Sequence, residues 1–334
     1  MNTKRIVSLV ASLALVLSMS LGLTGCGDKA AQDNNQGSTD GESTKYTVGI
    51  CQLVQHEALD AATQGFIDAL NEALPGEVEF QTKNASGDSA NCSTIVNGFV
   101  SDKVDLIMAN ATAALTPSAA ARSDIPIIGT SITAYGVALD IDDFDGTVGG
   151  NISGTSDLAD LEAQANMITE WFPEAKKVAL LFCSGEPNSR YQIEEVAKCL
   201  SDKGIETKEF AFTDTNDVAS VTQSAADYAD VVYVPTDNTA ASNTEAIANI
   251  LVPAGVPAIC GEEGICKGCG VATLSINYYD LGVTTGKMAA KILTGEANIS
   301  EMPIEFTEAT PKYNPTMCET LGIEPLDGYT AIED

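Results

Sequence analysis

The strongest constraint on the fold is a regular alternation of apolar, strand-like runs with amphipathic, helix-like stretches. Residues 46–51 have the apolar content of a buried strand, and residues 57–74 carry apolar side chains at helical spacing. The same rhythm continues to residue 129 and restarts near residue 157. Repeated strand–helix units favour parallel sheets that are covered by helices on both faces.

Two such series are too long for one compact sheet, so we predict two similar, doubly wound α/β lobes. The first lobe would comprise residues 46–153 with 279–306, and the second residues 154–278 with 307–334. Three crossing segments would join the lobes, near residues 151–156, 276–279 and 307–311. Ligands of open parallel sheets bind beyond the carboxyl ends of the strands, so two facing lobes would share one cleft.

Residues 1–25 have the pattern of a bacterial lipoprotein signal peptide. Lys4 and Arg5 precede an apolar stretch, and Leu23-Thr24-Gly25-Cys26 is the type of sequence that is cleaved before the cysteine. A transmembrane anchor is the alternative, because the apolar stretch is nearly long enough to span a bilayer. A spanning helix, however, needs neither small residues nor a cysteine at its end. We therefore expect acyl chains on Cys26 to hold the mature protein at the extracytoplasmic face of the cell membrane.

The residues that follow Cys26 predict a flexible tether, so that the segment 26–45 would join the lipid to the folded body. Residues 27–45 are mostly small and polar, and such a segment cannot bury enough apolar surface to fold. The formal net charge of the whole chain is −30. Because nucleic acids are held through basic side chains that neutralise phosphates, this charge argues against a nucleic-acid partner.

The chain has nine cysteines, of which Cys26 would carry the lipid. Cys266 and Cys269 have a spacing that suits a local disulfide, and two plain thiols are the equally simple alternative. A zinc site would need a second cysteine pair or histidines. His56 is the only histidine, so we expect no metal.

Known catalytic patterns are absent from the sequence. Residues 282–287 are one residue too short for a phosphate-binding loop, and Met288 replaces the hydroxyl that would meet magnesium. The sequence contains neither the glycine pattern of a dinucleotide site nor a Gly-x-Ser-x-Gly nucleophile elbow. We therefore expect a binding protein without a cofactor rather than an enzyme.

Short polar side chains cluster where the predicted strands end, on both predicted lobes. Each can cap the helix that follows, or it can offer hydrogen bonds to a ligand together with the free amides of that helix. Capping explains any single residue well, but a shared cleft explains the whole set better. The candidates are Gln55, His56, Asn84, Thr112, Thr130, Ser131, Glu186, Asn188, Ser189, Thr236, Asp237, Asn238 and Glu262.

Four motifs occur in order along the chain: QLVQHEALD at 52–60, GTSD at 154–157, EPNS at 186–189 and PTDN at 235–238. Together they resemble the ABC transporter substrate-binding proteins of the aromatic amino-acid (tryptophan/tyrosine) type. The resemblance extends from about Tyr46 to Ile323. It implies a periplasmic-binding-protein-like fold of the first type, an amino acid bound between the lobes, and a permease and an ATPase as partners.

Carried onto this chain, the resemblance adds Ser156 to the candidates. The contacts that it implies are Gln55, His56, Ser156, Glu186, Asn188, Ser189, Thr236, Asp237 and Asn238. The chain departs from the family pattern at residues 110–117, where an Ala-Thr-Pro run is usual, and at 262–264, where Glu-Glu-Gly replaces Asp-Glu-Gly. Both departures border the expected cleft, so the identity of the ligand stays open.

An amino-acid ligand would need a carboxylate for its ammonium group, and hydrogen-bond donors for its own carboxylate. Asp237 or Glu186 can supply the first through a charge-assisted hydrogen bond. Ser156, Ser189 and Asn188 can supply the second. Three tyrosines can either stack on an aromatic ligand or simply pack in the core, namely Tyr135, Tyr278 and Tyr279.

Three functions stay open at this point. The first is import by a monomer whose lobes close on an amino acid by a hinge motion before it docks on the permease. The second is a sensor or adhesin that uses the same trap without transport. The third is an extracellular hydrolase, which would require turnover that depends on Asp237 or His56.

Overall fold

The fold is taken from a computed structural model that describes residues 45–121 and 124–333. The predicted signal peptide, Cys26 and, apart from Lys45, the predicted tether lie outside the described residues. No helix in the described ranges is both long and apolar enough to cross a bilayer.

Strands and helices alternate along the described chain, as the sequence predicts. The strands are β1 (Tyr46–Gln52), β2 (Val78–Asn84), β3 (Leu106–Asn110), β4 (Ile127–Ile132), β5 (Ile152–Ser156), β6 (Lys177–Cys183), β7 (Glu206–Phe212), β8 (Val231–Val234), β9 (Ala258–Cys260), β10 (Ala272–Ser275), β11 (Glu305–Phe306), β12 (Thr310–Tyr313) and β13 (Thr330–Ala331). The helices are α1 (Glu57–Ala73), α2 (Ser89–Asp102), α3 (Thr112–Ala120), α4 (Tyr135–Ala138), α5 (Leu161–Trp171), α6 (Pro187–Asp202), α7 (Val218–Ala226), α8 (Asn238–Ala241), α9 (Thr244–Ala254), α10 (Glu263–Cys269), α11 (Tyr278–Leu293) and α12 (Pro315–Leu321).

The strands form two sheets, each of which belongs to one lobe. In the first sheet the strand order is β11-β5-β4-β3-β1-β2, and its neighbours pair in parallel. In the second the order is β13-β12-β10-β9-β8-β6-β7, with one antiparallel pair, β10 and β12. These two largely parallel sheets confirm the predicted α/β fold class.

Both faces of the central strands β1, β3 and β4 are buried, which explains why these strands are mostly apolar, whereas the edge strand β2 is polar and partly exposed. On β1, Val48 and Ile50 belong to the core that includes Phe66 of α1 and Met288 of α11. Cys51, next along the strand, belongs to the core on the opposite face. Each large apolar side chain buried in this way contributes about 1.5–3 kcal/mol to folding.

The chain passes between the two sheets three times, from β5 to α5, from β10 to α11, and from β11 to β12. Residues 152–156, where we expected the first crossing, are still part of the first sheet as β5, and the chain leaves that sheet after Ser156. The limits of the lobes predicted from the sequence stay a prediction.

Helices α1 and α11 pack closely because glycine lies at their contact. A Cβ atom at Gly65 would collide with the backbone of Tyr279, and one at Gly282 would collide with the backbone of Ala62. The glycines of residues 282–287, which superficially suggest a phosphate loop, therefore serve helix packing. Tyr278 is the first residue of α11, so the packing of α11 on α1 also helps to fix the position of Tyr278.

All eight cysteines that the structure describes are free thiols. Cys266 and Cys269 are both buried on α10, which corresponds to the plain-thiol alternative. Within the described ranges, no group of three or more histidine, cysteine, aspartate or glutamate side chains is placed to hold a metal ion.

Candidate functional site

A small cavity, with a volume of about 10 Å³, lies where the carboxyl ends of strands from both sheets meet. First-lobe residues reach it from the loop after β1, from the end of β4 and from the residue after β5. Second-lobe residues reach it from the start of α6 and from the ends of β8 and β9. Its lining residues are His56, Leu59, Ser131, Thr133, Asp157, Asn188, Thr236, Asp237, Asn238, Ala241, Glu262 and Tyr278.

Half of the candidates from the sequence line this cavity. They are His56, Ser131, Asn188, Thr236, Asp237, Asn238 and Glu262. Asp157, Thr133, Leu59 and Ala241 line it too, although we did not select them. Asp157 ends the GTSD motif and follows β5 directly, so its position at a strand end was the available signal.

The remaining candidates lie outside this cavity. Gln55 and Asn84 are exposed, and Oδ1 of Asn84 accepts a hydrogen bond from the Ser86 amide at 2.7 Å within a turn. Glu186 borders a neighbouring groove between the lobes. The others are buried inside the lobes, namely Thr112, Thr130, Ser156 and Ser189.

Two neighbouring residues of β4 show that the alternation of side chains along a strand determines which of them reach the cavity. Thr130 Oγ1 accepts hydrogen bonds from Thr155 Oγ1 at 3.3 Å and from Thr285 Oγ1 at 3.1 Å inside the first lobe. Ser131 lies on the other side of the strand and lines the cavity. Successive side chains of a strand point to opposite faces, so only one of this pair can face a ligand.

Ser131 has an unusual backbone conformation at an irregular part of the sheet. Its φ angle is +56°, and the register between β4 and β5 shifts between Gly129 and Ile132. Bulges of this kind often redirect a side chain next to a binding site. The Ser131 hydroxyl is buried and has no hydrogen-bond partner among the described residues.

Asp157 is the carboxylate most directly available to a ligand. Its Oδ2 accepts a hydrogen bond from the Tyr278 hydroxyl at 3.0 Å, whereas its buried Oδ1 has no partner in the described part of the chain. Burial raises the pKa of Asp157 to about 6, although the nearby Thr133 hydroxyl and the hydrogen bond from Tyr278 oppose this shift. A buried acceptor without a donor is costly unless a ligand completes it.

Two other carboxylates in the cavity wall serve as helix caps. Asp237 accepts hydrogen bonds from the amides of Cys183 at 2.7 Å and Ala240 at 2.8 Å. Glu262 accepts from the amides of Gly264 at 2.7 Å and Ile265 at 2.5 Å. Burial raises the pKa of Glu262 to about 7, and burial, together with the charge of Glu186, raises the pKa of Asp237. The sequence left helix capping and ligand binding open for these residues, and both Asp237 and Glu262 act as helix caps.

The charges around the cavity favour a cationic group. Three carboxyl groups line it, from Asp157, Asp237 and Glu262, whereas none of its described lining residues is lysine or arginine. His56 is the one basic residue there, and burial lowers its pKa. Buried carboxylates are strongly stabilised by a hydrogen-bonded cation.

Hydrogen bonds hold Asn188 and Thr236 in place on the second-lobe wall. Nδ2 of Asn188 donates to the Thr236 carbonyl at 3.1 Å. Gln192, one helical turn after Asn188, donates to the same carbonyl at 3.0 Å and accepts from the Thr236 amide at 3.0 Å. Sequence reasoning missed Gln192, whose only signal was this spacing on α6.

Of the three tyrosines considered for stacking, Tyr278 is the one that lines the cavity. Tyr135 is buried in the core of the first lobe, where its hydroxyl donates to the Thr155 carbonyl at 3.2 Å. Tyr279 follows Tyr278 on α11 but is 41% exposed. Consecutive residues of a helix point about 100° apart, because 3.6 residues complete one turn.

The two lobes touch beside the cavity. His56 Nε2, from the first lobe, lies 3.2 Å from Asn238 Oδ1 in the second. Glu57 Oε1 and Lys267 Nζ are 3.9 Å apart across the same gap. The cavity is therefore enclosed by both lobes.

Comparison with known proteins defines the family. The ABC transporter substrate binding protein family matches residues 47–327. The chain belongs to this family. This substrate-binding protein is therefore a solute-binding component of an ABC system, not an enzyme, and proteins of its kind act outside the cytoplasm.

A curated relative supports the same assignment over nearly the whole chain. The substrate-binding protein is 32% identical over 319 residues to a tyrosine-binding protein of Clostridioides difficile (strain R20291). The match covers 92% of this chain and 89% of the relative. The resemblance seen in the four motifs is thereby confirmed.

Two solved structures differ in how well they match the arrangement of the lobes. An ABC domain from Streptococcus pneumonia in complex with L-Trp is 28% identical, with a TM-score of 0.82 over 86% of this chain and 100% of that chain. A ligand-free, open substrate-binding protein with adhesive properties from Clostridium difficile is 31% identical, with a TM-score of 0.66 over 86% and 99%. At similar identity, the chain as a whole therefore superposes better on the L-Trp complex than on the open form.

Proposed function

We propose that this protein is the extracytoplasmic receptor of an importer and that it binds an aromatic amino acid in the central cavity. The observation that carries this proposal is the presence in one cavity of two polar atoms, Asp157 Oδ1 and Ser131 Oγ, that have no hydrogen-bond partner among the described residues. The first is an acceptor and the second can donate. An amino acid carries the complementary pair, an ammonium donor and a carboxylate acceptor.

Asp157 is the proposed partner of the ligand ammonium group. The sequence suggested Asp237 or Glu186 for this role, but both oxygens of each already accept hydrogen bonds within the second lobe. An ammonium group at Asp157 would form a charge-assisted hydrogen bond, which is about twice as strong as a neutral one. It would also pair a charge that is otherwise buried alone.

Ser131 is the proposed donor to the ligand carboxylate. Asn188, which the sequence also suggested, lines the cavity from the second lobe, but its Nδ2 already donates within that lobe. His56, Thr236, Asp237, Asn238 and Glu262 complete the proposed wall. Ser189 and Ser156, which the family resemblance also suggested, lie behind that wall.

An aromatic side chain is proposed from the apolar part of the cavity and from two relatives. Leu59, Ala241 and the ring of Tyr278 offer apolar surface. The relatives are a tyrosine-binding protein and a structure in complex with L-Trp.

Anchoring and transport extend the proposal beyond the described residues. We infer that acyl chains on Cys26 attach a monomer to the outer face of the membrane and that a permease and an ATPase receive the ligand. Family membership supports the transport partners, and the sequence at residues 23–26 supports the anchor.

Adhesion is a second candidate function, because the similar C. difficile structure belongs to a substrate-binding protein with adhesive properties. Uptake of a labelled amino acid by cells with and without the gene would separate the two. Import predicts loss of uptake without the gene. Adhesion alone predicts normal uptake and reduced attachment to surfaces.

The proposed ligand class is tested by thermal unfolding of the purified protein with each of the common L-amino acids at millimolar concentration. We expect tryptophan, tyrosine or phenylalanine to raise the unfolding temperature, because a ligand at 100 times its Kd adds about 2.7 kcal/mol of stability. No shift with any of them, or a shift with acidic amino acids alone, would overturn the proposal.

A further inference from the structure

Glu186 is bound tightly to the start of α8. Its Oε2 accepts hydrogen bonds from the Asn238 amide at 3.0 Å and from Asn238 Nδ2 at 2.8 Å. Its Oε1 accepts from the amide of Thr239 at 2.9 Å and from the Thr239 hydroxyl at 2.8 Å. Asn188 Nδ2 also donates to Oε2 at 3.4 Å. All five donors belong to the second lobe, and the four from Asn238 and Thr239 hold Asn238 in one orientation.

That orientation determines what Asn238 presents to the first lobe. A carboxylate only accepts hydrogen bonds, so Nδ2 of Asn238 must face Glu186 and Oδ1 must point elsewhere. Oδ1 lies 3.2 Å from His56 Nε2. Because an amide oxygen also only accepts, the imidazole must carry a proton on Nε2 and donate it across the gap.

We propose that His56 and Asn238 form a clasp that keeps the lobes closed over the ligand, with Glu186 as the positioning residue of that clasp. This inference rests on the proposed function, since it concerns the release of the same ligand. Both clasp residues line the cavity, so the clasp closes directly over the ligand. Losing it speeds dissociation more than it changes association, as for most contacts in a binding site.

The second contact between the lobes is a poor alternative to this clasp. The Glu57 and Lys267 side chains are 67% and 38% exposed at a separation of 3.9 Å. Exposed ion pairs of this kind contribute little. Glu57 is the first residue of α1, directly after His56, and provides a matched control.

The kinetic test measures ligand dissociation by stopped-flow fluorescence with L-Trp or L-Tyr, whichever binds more tightly. His56→Ala and Glu186→Gln should each raise the dissociation rate by about two- to tenfold, as expected for one lost hydrogen bond. Because both act through Asn238, the double variant should dissociate no faster than the faster single variant. Glu57→Gln should stay within about twofold of the parent.

Additive effects in the double variant would overturn the positioning role of Glu186, because residues that merely stabilise the fold act independently. An unchanged dissociation rate in His56→Ala would overturn the clasp itself. Thr239→Val removes one of the five donors to Glu186 and gives a milder variant should Glu186→Gln fail to fold. It should raise the dissociation rate by less than His56→Ala does, and a larger rise would contradict the clasp.

Small-angle scattering without added ligand separates failure of the clasp from failure of the proposed function. The clasp predicts a larger radius of gyration for His56→Ala and Glu186→Gln than for the parent and Glu57→Gln. That shift is expected whichever ligand the cavity takes. Normal amino-acid binding without the shift would overturn the clasp alone, whereas the shift without any amino-acid binding would overturn only the proposed function.

Discussion

Asp157 and Tyr278 are joined by a hydrogen bond of 3.0 Å although they are 121 residues apart in the chain. Asp157 directly follows β5, where the chain leaves the first sheet, and Tyr278 begins α11, where it returns. The bond therefore links two of the three passages between the lobes. It also orients the carboxylate whose other oxygen is proposed to receive the ligand.

Removing the Tyr278 hydroxyl should weaken ligand binding. In Tyr278→Phe the carboxylate of Asp157 loses a donor that holds it in place, so we expect a loss of about 0.5–1.5 kcal/mol in binding free energy by isothermal titration calorimetry. Tyr279→Phe removes the hydroxyl of the adjacent, exposed tyrosine and serves as the control. Equal losses in both variants would contradict a specific role for Tyr278.

The protonation of Asp157 should make the stability of the unliganded protein depend on pH. The pKa of this carboxyl is raised by burial from 3.8 to about 6, so the folded state binds its proton more tightly than the unfolded state does. The resulting stability is fully present below the unfolded value and is lost as the pH rises through about 6.

Asp157→Asn isolates this effect, because asparagine does not titrate. Between about pH 4 and about pH 7, the free energy of unfolding of the parent should fall relative to that of the variant by on the order of 1–3 kcal/mol. His56, whose pKa is lowered by burial, contributes an opposite slope that is common to both proteins. Urea unfolding at several pH values measures the difference, and a gap that is constant with pH would disprove the assignment.

The close packing of α1 on α11 predicts that glycine cannot be replaced at their contact. Gly282→Ala would push a methyl group against the Ala62 backbone, and we expect a loss of about 1–3 kcal/mol in the free energy of unfolding. Gly98→Ala on α2, where nothing lies within 4 Å of the new atom, should instead gain about 0.5–1 kcal/mol. Thermal unfolding compares the two, and equal effects would contradict the packing argument.

Ser131 should show a trade-off between stability and binding. Ser131→Gly relieves the positive φ angle and should gain about 1 kcal/mol of stability, but it removes a proposed donor and should lower the affinity. Ser131→Ala removes the same hydroxyl without relieving the backbone, so it should lower the affinity without a gain in stability. Unchanged affinity in both variants would exclude Ser131 from the site.

The fold was predictable from the sequence because buried parallel strands and their covering helices leave strong periodic signals. Residues 46–51 and 57–74, for example, lie within or overlap β1 and α1. The first crossing was placed too early, since polar residues at the end of β5 resemble a linker. Their buried setting depends on the neighbouring strands β4 and β11, which no local pattern reveals.

The site was only half predictable, because the direction of a side chain at a strand end depends on tertiary structure. Thr130 and Ser131 are adjacent and chemically similar, but their side chains lie on opposite sides of β4, and only Ser131 lines the cavity. Glu186 has a carboxylate that could bind a ligand, but both of its oxygens already accept hydrogen bonds from Asn238 and Thr239. Asp157 directly follows β5, and this position at a strand end was the only signal that the sequence offered for it.

The central claim is that Asp157 recognises the ammonium group of an aromatic amino acid. Isothermal titration of the parent and of Asp157→Asn, with L-Trp and L-Tyr and with the same molecules lacking the amino group, tests it most directly. The account predicts that the parent binds the complete amino acid at least about tenfold more tightly than the deaminated analogue, and that Asp157→Asn loses this preference. Equal binding of both compounds by the parent, or an undiminished preference in Asp157→Asn, would contradict it.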